Sequence, residues 1–391
     1  MFSILALSLA LSADPFPYEK EEAELSEEIR VEELKAHVYR LSSPEFMGRA
    51  GPGAARSAKH IAGIFEQLKL KPAFGDSYVQ QIPWKLKNSD NKEPSIVGQN
   101  VAAILPGSDP QLKDEWILLT AHFDHLGKRG DKLYAGADDD ASGMAMLLEV
   151  AERFALQKHK PKRTIVFVAF DQEETGLLGS THFAANPPMD LKMLKAFITA
   201  DMIGRSMAGV MDEYVFVLGS ENSKEMRQLL EDNQPKPGLR AGRVGTDIIG
   251  TRSDYGPFRD RKVPFLFFST GMHEDYHQPS DTPEKIDYEK LKRISDFIHD
   301  LTEKLTDAEK TPTWATDGLP PDIDEVRSIH VLLTRILDKP KVFPLSEKQR
   351  ALVSGTAERL QGILDRGKET VTERTALLWT ARLLMSALFQ Q

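Results

Sequence analysis

Acidic and histidine side chains, the usual ligands of divalent metal ions, occur in five separated clusters along this chain. The clusters are His122-Phe123-Asp124, Asp138-Asp139-Asp140, Glu173-Glu174, Asp201 and Tyr276-His277. Four of them directly follow an apolar run typical of a β-strand, whereas Asp139 precedes an amphipathic helix. Brought to one edge of a sheet, they would form a cage of carboxylates and imidazoles suited to two zinc ions.

The composition narrows the kinds of site that the chain can hold. It contains no cysteine, which excludes thiolate zinc sites and disulfides. Any metal must be held by His, Asp and Glu, which favours a catalytic zinc site. A net charge of −9, without a long basic run, predicts no nucleic-acid partner. The hydrophobic content of 41% is typical of a globular enzyme rather than a disordered chain.

Strands and helices alternate over most of the chain. The predicted strands are residues 78–84, 99–105, 116–121, 164–170, 196–203 and 263–269, and the predicted helices are 31–41, 54–68, 140 or 141 to 156, 221–233 and 288–304. Several strands are apolar on both faces, as in a buried sheet. The pattern predicts an α/β fold with a mostly parallel central sheet covered by helices on both faces. Such sheets bind ligands beyond the carboxyl ends of their strands, where four of the clusters fall.

Three segments are expected along the chain. Residues 1–13 resemble a signal peptide, which predicts export to the periplasm or medium, although no Lys or Arg precedes the apolar stretch. A packed or disordered tail, or a start codon assigned too late, is the alternative. The apolar stretch is too short to span a membrane. Residues 14–310 are predicted to form the catalytic domain, and residues 321–391 a helical extension of unknown role.

The first two clusters each allow a structural and a metal-binding interpretation. His122 and Asp124 share a face at a strand end, so Asp124 could fix the imidazole that His122 offers to a metal; a surface pair is the alternative. Asp138, Asp139 and Asp140 repel one another unless cations neutralise them. Helix capping explains Asp140, and we expect a metal role for Asp139.

The remaining clusters complete the expected site. Consecutive residues of an extended chain point to opposite sides, so one of Glu173 and Glu174 could bind metal while the other stays free as a general base. A lone charge at Asp201 needs either a cation or Arg205. His277 would supply the second nitrogen ligand, although a lone histidine is more often a surface residue.

The charges of such a site balance. Two Zn²⁺ ions, three carboxylates (Asp139, Glu174 and Asp201) and one bridging hydroxide sum to zero, and neutral His122 and His277 complete the set. A carboxylate that bridges two ions about 3.5–4 Å apart is the arrangement of two-metal hydrolases.

The ordered set of motifs resembles the zinc aminopeptidases of peptidase family M28. The matching segments are Ala121-His-Phe-Asp124-His, Gly136-Ala-Asp-Asp-Asp-Ala-Ser-Gly143, Phe170-Asp-Gln-Glu-Glu-Thr-Gly176, Ala200-Asp-Met-Ile-Gly204, Ser253-Asp-Tyr-Gly-Pro-Phe258 and Tyr276-His-Gln-Pro-Ser-Asp-Thr-Pro-Glu-Lys-Ile-Asp287. Each motif alone is weak, but their order is specific. The resemblance covers roughly residues 30–305 and leaves 321–391 outside it.

The resemblance implies a role for each cluster. Asp139 would bridge two zinc ions, with His122 and Asp201 completing one site and Glu174 and His277 the other. Glu173 would be the general base on a metal-bridging water, and Asp124 a supporting residue. The implied function is hydrolysis of the N-terminal bond of peptides with a free N-terminus.

Alternatives of other classes stay open at this point. A related acylase, carboxypeptidase or glutaminyl cyclase could use the same scaffold, although the cyclases work with one zinc and lack the Asp-Asp-Asp-Ala-Ser-Gly pattern. A catalytically silent binding protein would be expected to lack ligands, and all are present here. Either Tyr255 or Tyr276 could bind the oxyanion. The side-chain preference, the physiological peptide and the oligomeric state do not follow from the sequence.

Overall fold

A nine-stranded mixed sheet organises the part of the chain described by the computed structural model, residues 25–84, 95–377 and 380. The predicted signal peptide lies outside the described residues, so its cleavage and export stay predictions. The strands of this sheet are β1 Lys71–Pro72, β2 Val79–Trp84, β3 Ser95–Leu105, β4 Trp116–His122, β7 Thr164–Phe170, β8 Leu194–Ala200, β9 Tyr214–Leu218, β10 Arg240–Arg243 and β11 Phe265–Ser269. A separate short hairpin is formed by β5 Lys128–Arg129 and β6 Lys132–Leu133.

The centre of the sheet is parallel. Its order is β1-β3-β7-β4-β8-β11-β9-β10, with β2 paired to β3. The neighbours β7, β4, β8 and β11 run parallel, while β3 and β9 join this block antiparallel. The four parallel strands therefore end at the same edge, where ligands are expected in folds of this type.

Helices cover both faces. Their bounds are α1 Val31–Leu41, α2 Pro52–Gln67, α3 Gly143–Leu156, α4 Leu178–Ala185, α5 Lys224–Asp232, α6 Thr246–Ile249, α7 Gly256–Arg259, α8 Tyr288–Asp307, α9 Ile323–Asp338 and α10 Glu347–Arg366. Alternate residues of β4 enter two hydrophobic cores: Ile117 and Leu119 pack with α1, α2, α3 and α8, and Trp116 and Leu118 pack with α4, α7, α9 and α10. This arrangement explains why β4 is buried along its whole length and confirms the predicted fold class.

Five strands were not predicted: the two-residue strands β1, β5 and β6, and the longer strands β9 and β10. The five-residue β9 extends the sheet beyond β11, and β10 pairs with β9 at the edge. The sequence of β10, Arg-Ala-Gly-Arg, has no apolar run, because an edge strand is stabilised by pairing more than by burial of both faces. Conversely, the strand predicted at 196–203 ends at Ala200, which leaves Asp201 just beyond the sheet.

The C-terminal helices pack on the same sheet as the rest of the fold. Arg243 of β10 forms an ion pair with Asp322 at 2.7 Å, and Glu325 accepts a hydrogen bond from the amide of Gly245 at 2.7 Å. The Ser346–Gln349 capping box predicted from the sequence is present at the start of α10. Across the described residues, no helix combines the length and apolar character needed to cross a membrane. The boundary between residues 310 and 321 stays a prediction.

Candidate metal centre

The carboxyl edge of the parallel strands brings the five predicted ligand residues together. His122 is the last residue of β4, and Asp201 directly follows β8. Glu174 and His277 lie in the segments after β7 and β11, and Asp139 lies in the turn of residues 137–142 before α3, where its own backbone is not helical. Their roles as ligands stay predictions, but their positions are those that the strand ends predict.

Asp139 lies between two imidazoles. Its Oδ1 is 3.3 Å from Nε2 of His122, and its Oδ2 is 3.1 Å from Nε2 of His277. The carboxylate is nearly fully buried, and the two imidazoles hold its pKa well below the usual range despite that burial. A carboxylate whose two oxygens face separate nitrogen donors has the geometry needed to bridge two cations.

The first half of the centre consists of His122 and Asp201 and is buried. Nε2 of His122 lies 3.6 Å from Oδ1 of Asp201, and burial raises the pKa of Asp201. Arg205, the alternative partner for Asp201, forms an ion pair with Asp275 at 3.1 Å instead. The negative charge of Asp201 is therefore left to His122 and to a cation.

The second half consists of Glu174 and His277 and is more open. Nε2 of His277 lies 3.0 Å from Oε2 of Glu174. Burial lowers the pKa of His277, but Asp139 and Glu174 outweigh it and raise that pKa to about 10. These two carboxylates thus favour a positive charge at Nε2 of His277. A proton and a metal ion would compete for that nitrogen.

His125 is a member of the centre that the sequence did not predict. Its Nδ1 lies 2.8 Å from Oε1 of Glu174 but 3.9 Å from Oδ2 of Asp139. His277 is close to both carboxylates, so His277 suits a ligand and His125 suits a hydrogen-bond partner that orients Glu174. His125 directly follows Asp124 in the sequence. The direction of its side chain could not be predicted from strand alternation, because β4 ends at His122.

Asp124 connects His122 to the turn that follows β7. Its Oδ1 and Oδ2 accept hydrogen bonds from the amides of Glu173 and Glu174 at 3.0 and 3.2 Å. Its Oδ1 also lies 3.5 Å from Nδ1 of His122. The turn begins at Gln172, whose φ is 59°, so the two glutamates diverge in a turn and not along an extended chain as we expected.

Glu173 faces the buried half without contacting a ligand. Within the described residues, no side chain or amide donates a hydrogen bond to its carboxylate. Burial raises the pKa of Glu173 well above its usual value; His122 opposes this rise, and Asp201 adds to it. A carboxylate with a raised pKa beside a candidate metal centre is suited to accept and return a proton.

The aspartates on either side of Asp139 are structural. Oδ1 of Asp140 accepts from the amides of Gly143 and Met202 at 2.9 and 3.1 Å, and Oδ1 of Asp138 accepts from Gly204 at 2.6 Å. These bonds join the turn to the segment after β8. Asp140 thus bonds the first amide of α3, although the N-cap position itself is Ser142, and Asp139 is left to face the two imidazoles.

The buried guanidinium of Arg49 stabilises the same turn, residues 137–142, through hydrogen bonds to backbone carbonyls. Arg49 is fully buried and donates to the carbonyls of Phe123, Ala135, Gly136 and Asp139 at 2.6–3.0 Å. Burial lowers its pKa, whereas the charge of Asp139 raises it. Arg49 was not predicted, because hydrogen bonds to backbone carbonyls leave no sequence pattern.

The donor set fits divalent metal ions. Zinc bonds of about 2.0–2.1 Å in a tetrahedral shell separate neighbouring ligand atoms by roughly 3.3–3.4 Å, and the nitrogen–oxygen distances around His122 and His277 are 3.0–3.6 Å. Both ring nitrogens of His122 are buried without a hydrogen bond within the described part of the chain. Such atoms are costly unless a further partner binds them.

The structure separates the two candidate tyrosines. Tyr255 is fully buried and donates its hydroxyl to the carbonyl of Gly250 at 2.6 Å, so it holds a loop and does not face the centre. Tyr276 stacks on His277 with ring centroids 3.9 Å apart. Burial raises the pKa of its hydroxyl, and the charges of Asp139 and Asp201 raise it further.

Comparison with known proteins places the chain in a family. Aminopeptidase YwaD of Bacillus subtilis is 27% identical over 256 residues, which cover 62% of this chain and 52% of that protein. The chain thus spans about half the length of this curated relative. A zinc aminopeptidase from Bacillus subtilis has a similar structure, with a TM-score of 0.55 at 17% identity over 74% of this chain and 98% of that one.

The fold is shared more widely than any one activity. A glutaminyl cyclase of Porphyromonas gingivalis also matches, with a TM-score of 0.55 at 19% identity over 72% of this chain and 99% of that one. At such identities the likeness shows a common fold alone. The family model for peptidase family M28 matches residues 100–302, just over half of the sequence, and the chain therefore belongs to peptidase family M28.

Proposed function

We propose that this protein is a two-zinc aminopeptidase that hydrolyses the first peptide bond of substrates with a free N-terminus. The observation that supports this proposal best is the position of Asp139, whose two oxygens face His122 and His277 at 3.3 and 3.1 Å. Asp201 and Glu174 complete three-residue sets on either side. This geometry supports a centre for two ions rather than one.

The choice of zinc rests on the ligands and on the relatives. Imidazole with carboxylate is a typical donor set for catalytic zinc. Relatives of this chain are named an aminopeptidase and a probable zinc metalloprotease. These names describe the relatives, so both the metal and the reaction are proposals for this chain.

The charges around the centre favour an amino terminus over a carboxyl terminus as the group bound. Two cations close to the centre, Arg49 and Arg205, are occupied by backbone carbonyls and by Asp275, respectively. A C-terminal carboxylate usually requires an available Arg or Lys, which favours the aminopeptidase over the carboxypeptidase.

The proposed mechanism assigns proton transfer to Glu173. Bound zinc ions would supply Lewis acidity for the scissile carbonyl and would lower the pKa of water. Glu173 accepts the proton of the attacking water and returns it to the leaving amine. The Tyr276 hydroxyl donates a hydrogen bond to the oxyanion as the carbonyl becomes tetrahedral. Asp124 keeps Glu173 and Glu174 in position through their amides.

Three substrates and one metal measurement test the proposal. The purified protein is loaded with zinc and given a peptide with a free N-terminus, the same peptide acetylated, and a peptide with N-terminal glutamine. We expect release of the first residue from peptides with a free N-terminus, no cleavage of the acetylated peptide, no ring closure of the glutaminyl peptide, and two zinc ions in the candidate centre. Equal cleavage of the acetylated peptide would indicate an acylase or endopeptidase, and ring closure without hydrolysis would indicate a cyclase; either result contradicts the proposal.

A further inference from the structure

A second group of potential metal ligands lies between α1 and α3, apart from the candidate metal centre. Glu33 and His37 are four residues apart in α1, and Glu149 lies in the second turn of α3. One ligand atom from each of the three residues lies within 4.8 Å of the others. Residues four apart on a helix share a face, so α1 presents a carboxylate and an imidazole together towards Glu149.

The distances match those of the candidate metal centre. Nε2 of His37 is 3.4 Å from Oε1 of Glu149, whereas His122 and Asp139 are 3.3 Å apart. Two ligands of a tetrahedral zinc ion with bonds of about 2.0–2.1 Å are separated by roughly the same length. For a hydrogen bond to nitrogen, 3.4 Å is long.

Glu149 is a buried carboxylate with an oxygen that needs a partner. The residue is 3% exposed, and its Oε2 accepts from the amide of Arg30 at 3.3 Å. Its Oε1, the oxygen that faces His37, has no hydrogen-bond partner within the described residues. Burying an ionised carboxylate in this way costs several kcal/mol unless a cation compensates it.

Negative charge is in excess around this group. Glu152 lies one turn further along α3, and burial raises its pKa, as do the charges of Glu149 and Glu33. The guanidinium of Arg30 lies 3.3 Å from Glu33. The buried Glu149 and the neighbouring Glu152 place two further carboxylates beside His37, which favours a cation at this position.

We propose that Glu33, His37 and Glu149 bind one zinc ion that clamps α1 to α3. The imidazole ligand favours zinc over calcium and magnesium, which prefer oxygen ligands. Three protein ligands leave a fourth position for water. The ion would hold α3 in place, and the turn before α3 carries Asp139. The proposed ion is structural and does not depend on the aminopeptidase proposal.

Zinc stoichiometry in an Asp139→Asn background tests this site separately from the catalytic one. The protein is freed of metal by a chelator, titrated with zinc chloride, and its bound zinc is measured by mass spectrometry. We expect Asp139→Asn to retain about one tightly bound zinc per chain, and the added change His37→Ala or Glu149→Gln to remove it. Glu32→Gln, on the exposed side of the same turn of α1, is the matched control and should retain it.

Thermal unfolding gives a second readout. Zinc should raise the Tm of Asp139→Asn because it binds the folded state only, and it should not raise the Tm when Glu149→Gln is added. The glutamine keeps the size of the side chain, so the variant is expected to fold. Equal zinc content and equal Tm shifts with and without His37 and Glu149 would overturn the proposal and leave a plain ion pair. These outcomes hold whether or not the protein is an aminopeptidase.

Discussion

The two halves of the candidate metal centre differ in their access to solvent. The side chains of His122 and Asp201 are 1% and 11% exposed. That of Glu174 is similarly buried, at 10% exposed, so the difference between the halves lies at His277, which is 33% exposed. His122 and Asp201 lie at the ends of central strands, while Glu174 and His277 belong to turns and loops. If the centre binds two ions as proposed, we expect the buried half to hold its ion firmly, and the other half to admit the substrate and to exchange its ion more readily.

Asp139→Asn is expected to have the largest effect, because it removes the carboxylate that both halves share. Loss of Lewis-acid stabilisation of several kcal/mol should lower kcat by about 10³-fold or more. The measurement is kcat on a free peptide together with zinc content. Circular dichroism should remain unchanged, and retention of both ions with high activity would show that Asp139 does not bridge.

Glu173→Gln tests whether catalysis can be separated from metal binding. The glutamine cannot accept the proton, so kcat should fall by about 10²-fold or more while zinc content stays at the wild-type value. Steady-state kinetics and metal analysis on one preparation give both readouts. An active variant would refute the role of Glu173 as base.

His122→Ala and His277→Ala test the asymmetry directly. We expect His277→Ala to keep about one firmly bound zinc in the centre and to regain activity in excess zinc, because water can reach the open half. His122→Ala should lose the firmly bound ion and also be destabilised by about 1–3 kcal/mol, since buried carboxylates lose their partner. Dialysis against a weak chelator followed by zinc analysis and thermal melts compares the two. The same response from both variants would refute the distinction between the halves.

The smallest catalytic effect is expected from Tyr276→Phe, with Tyr255→Phe as the matched control. Loss of an oxyanion donor lowers kcat by up to roughly 10²-fold, with little change in zinc content. Tyr255→Phe should instead cost about 1 kcal/mol of stability through the lost bond to Gly250, with kcat nearly unchanged. The opposite result would make Tyr255 the residue that contacts the substrate.

The sequence predicted the central strands, and it placed the five candidate ligands near one edge of the sheet, because both rest on local patterns; metal binding by these residues stays a prediction. The segments around β4 and β7 are apolar on both faces, and the residues that follow them must lie at the sheet edge. The strand β9 was missed although Tyr214–Leu218 is a short apolar run, and the edge strand β10 was missed because its pairing with β9 outweighs its local pattern.

Residues that act through distant contacts could not be predicted in the same way. His125 forms a hydrogen bond with Glu174, which is 49 residues away in the sequence. Arg49 donates hydrogen bonds to carbonyls of residues 74 to 90 positions away. Such pairs become visible only when the chain is folded. Glu173 and Glu174 were assigned divergent directions from strand geometry, but the turn at Gln172 produces the divergence.

The position of Arg49 has a consequence for where a minimal fragment of this protein can begin. The family match starts at residue 100, so a fragment cut to the matched region would lose the guanidinium that gathers the carbonyls of Phe123, Gly136 and Asp139. In such a fragment those carbonyls would be buried without a hydrogen-bond donor, which is energetically unfavourable. The N-terminal helices are thus an integral part of the centre, and a fragment designed to hold metal has to include them.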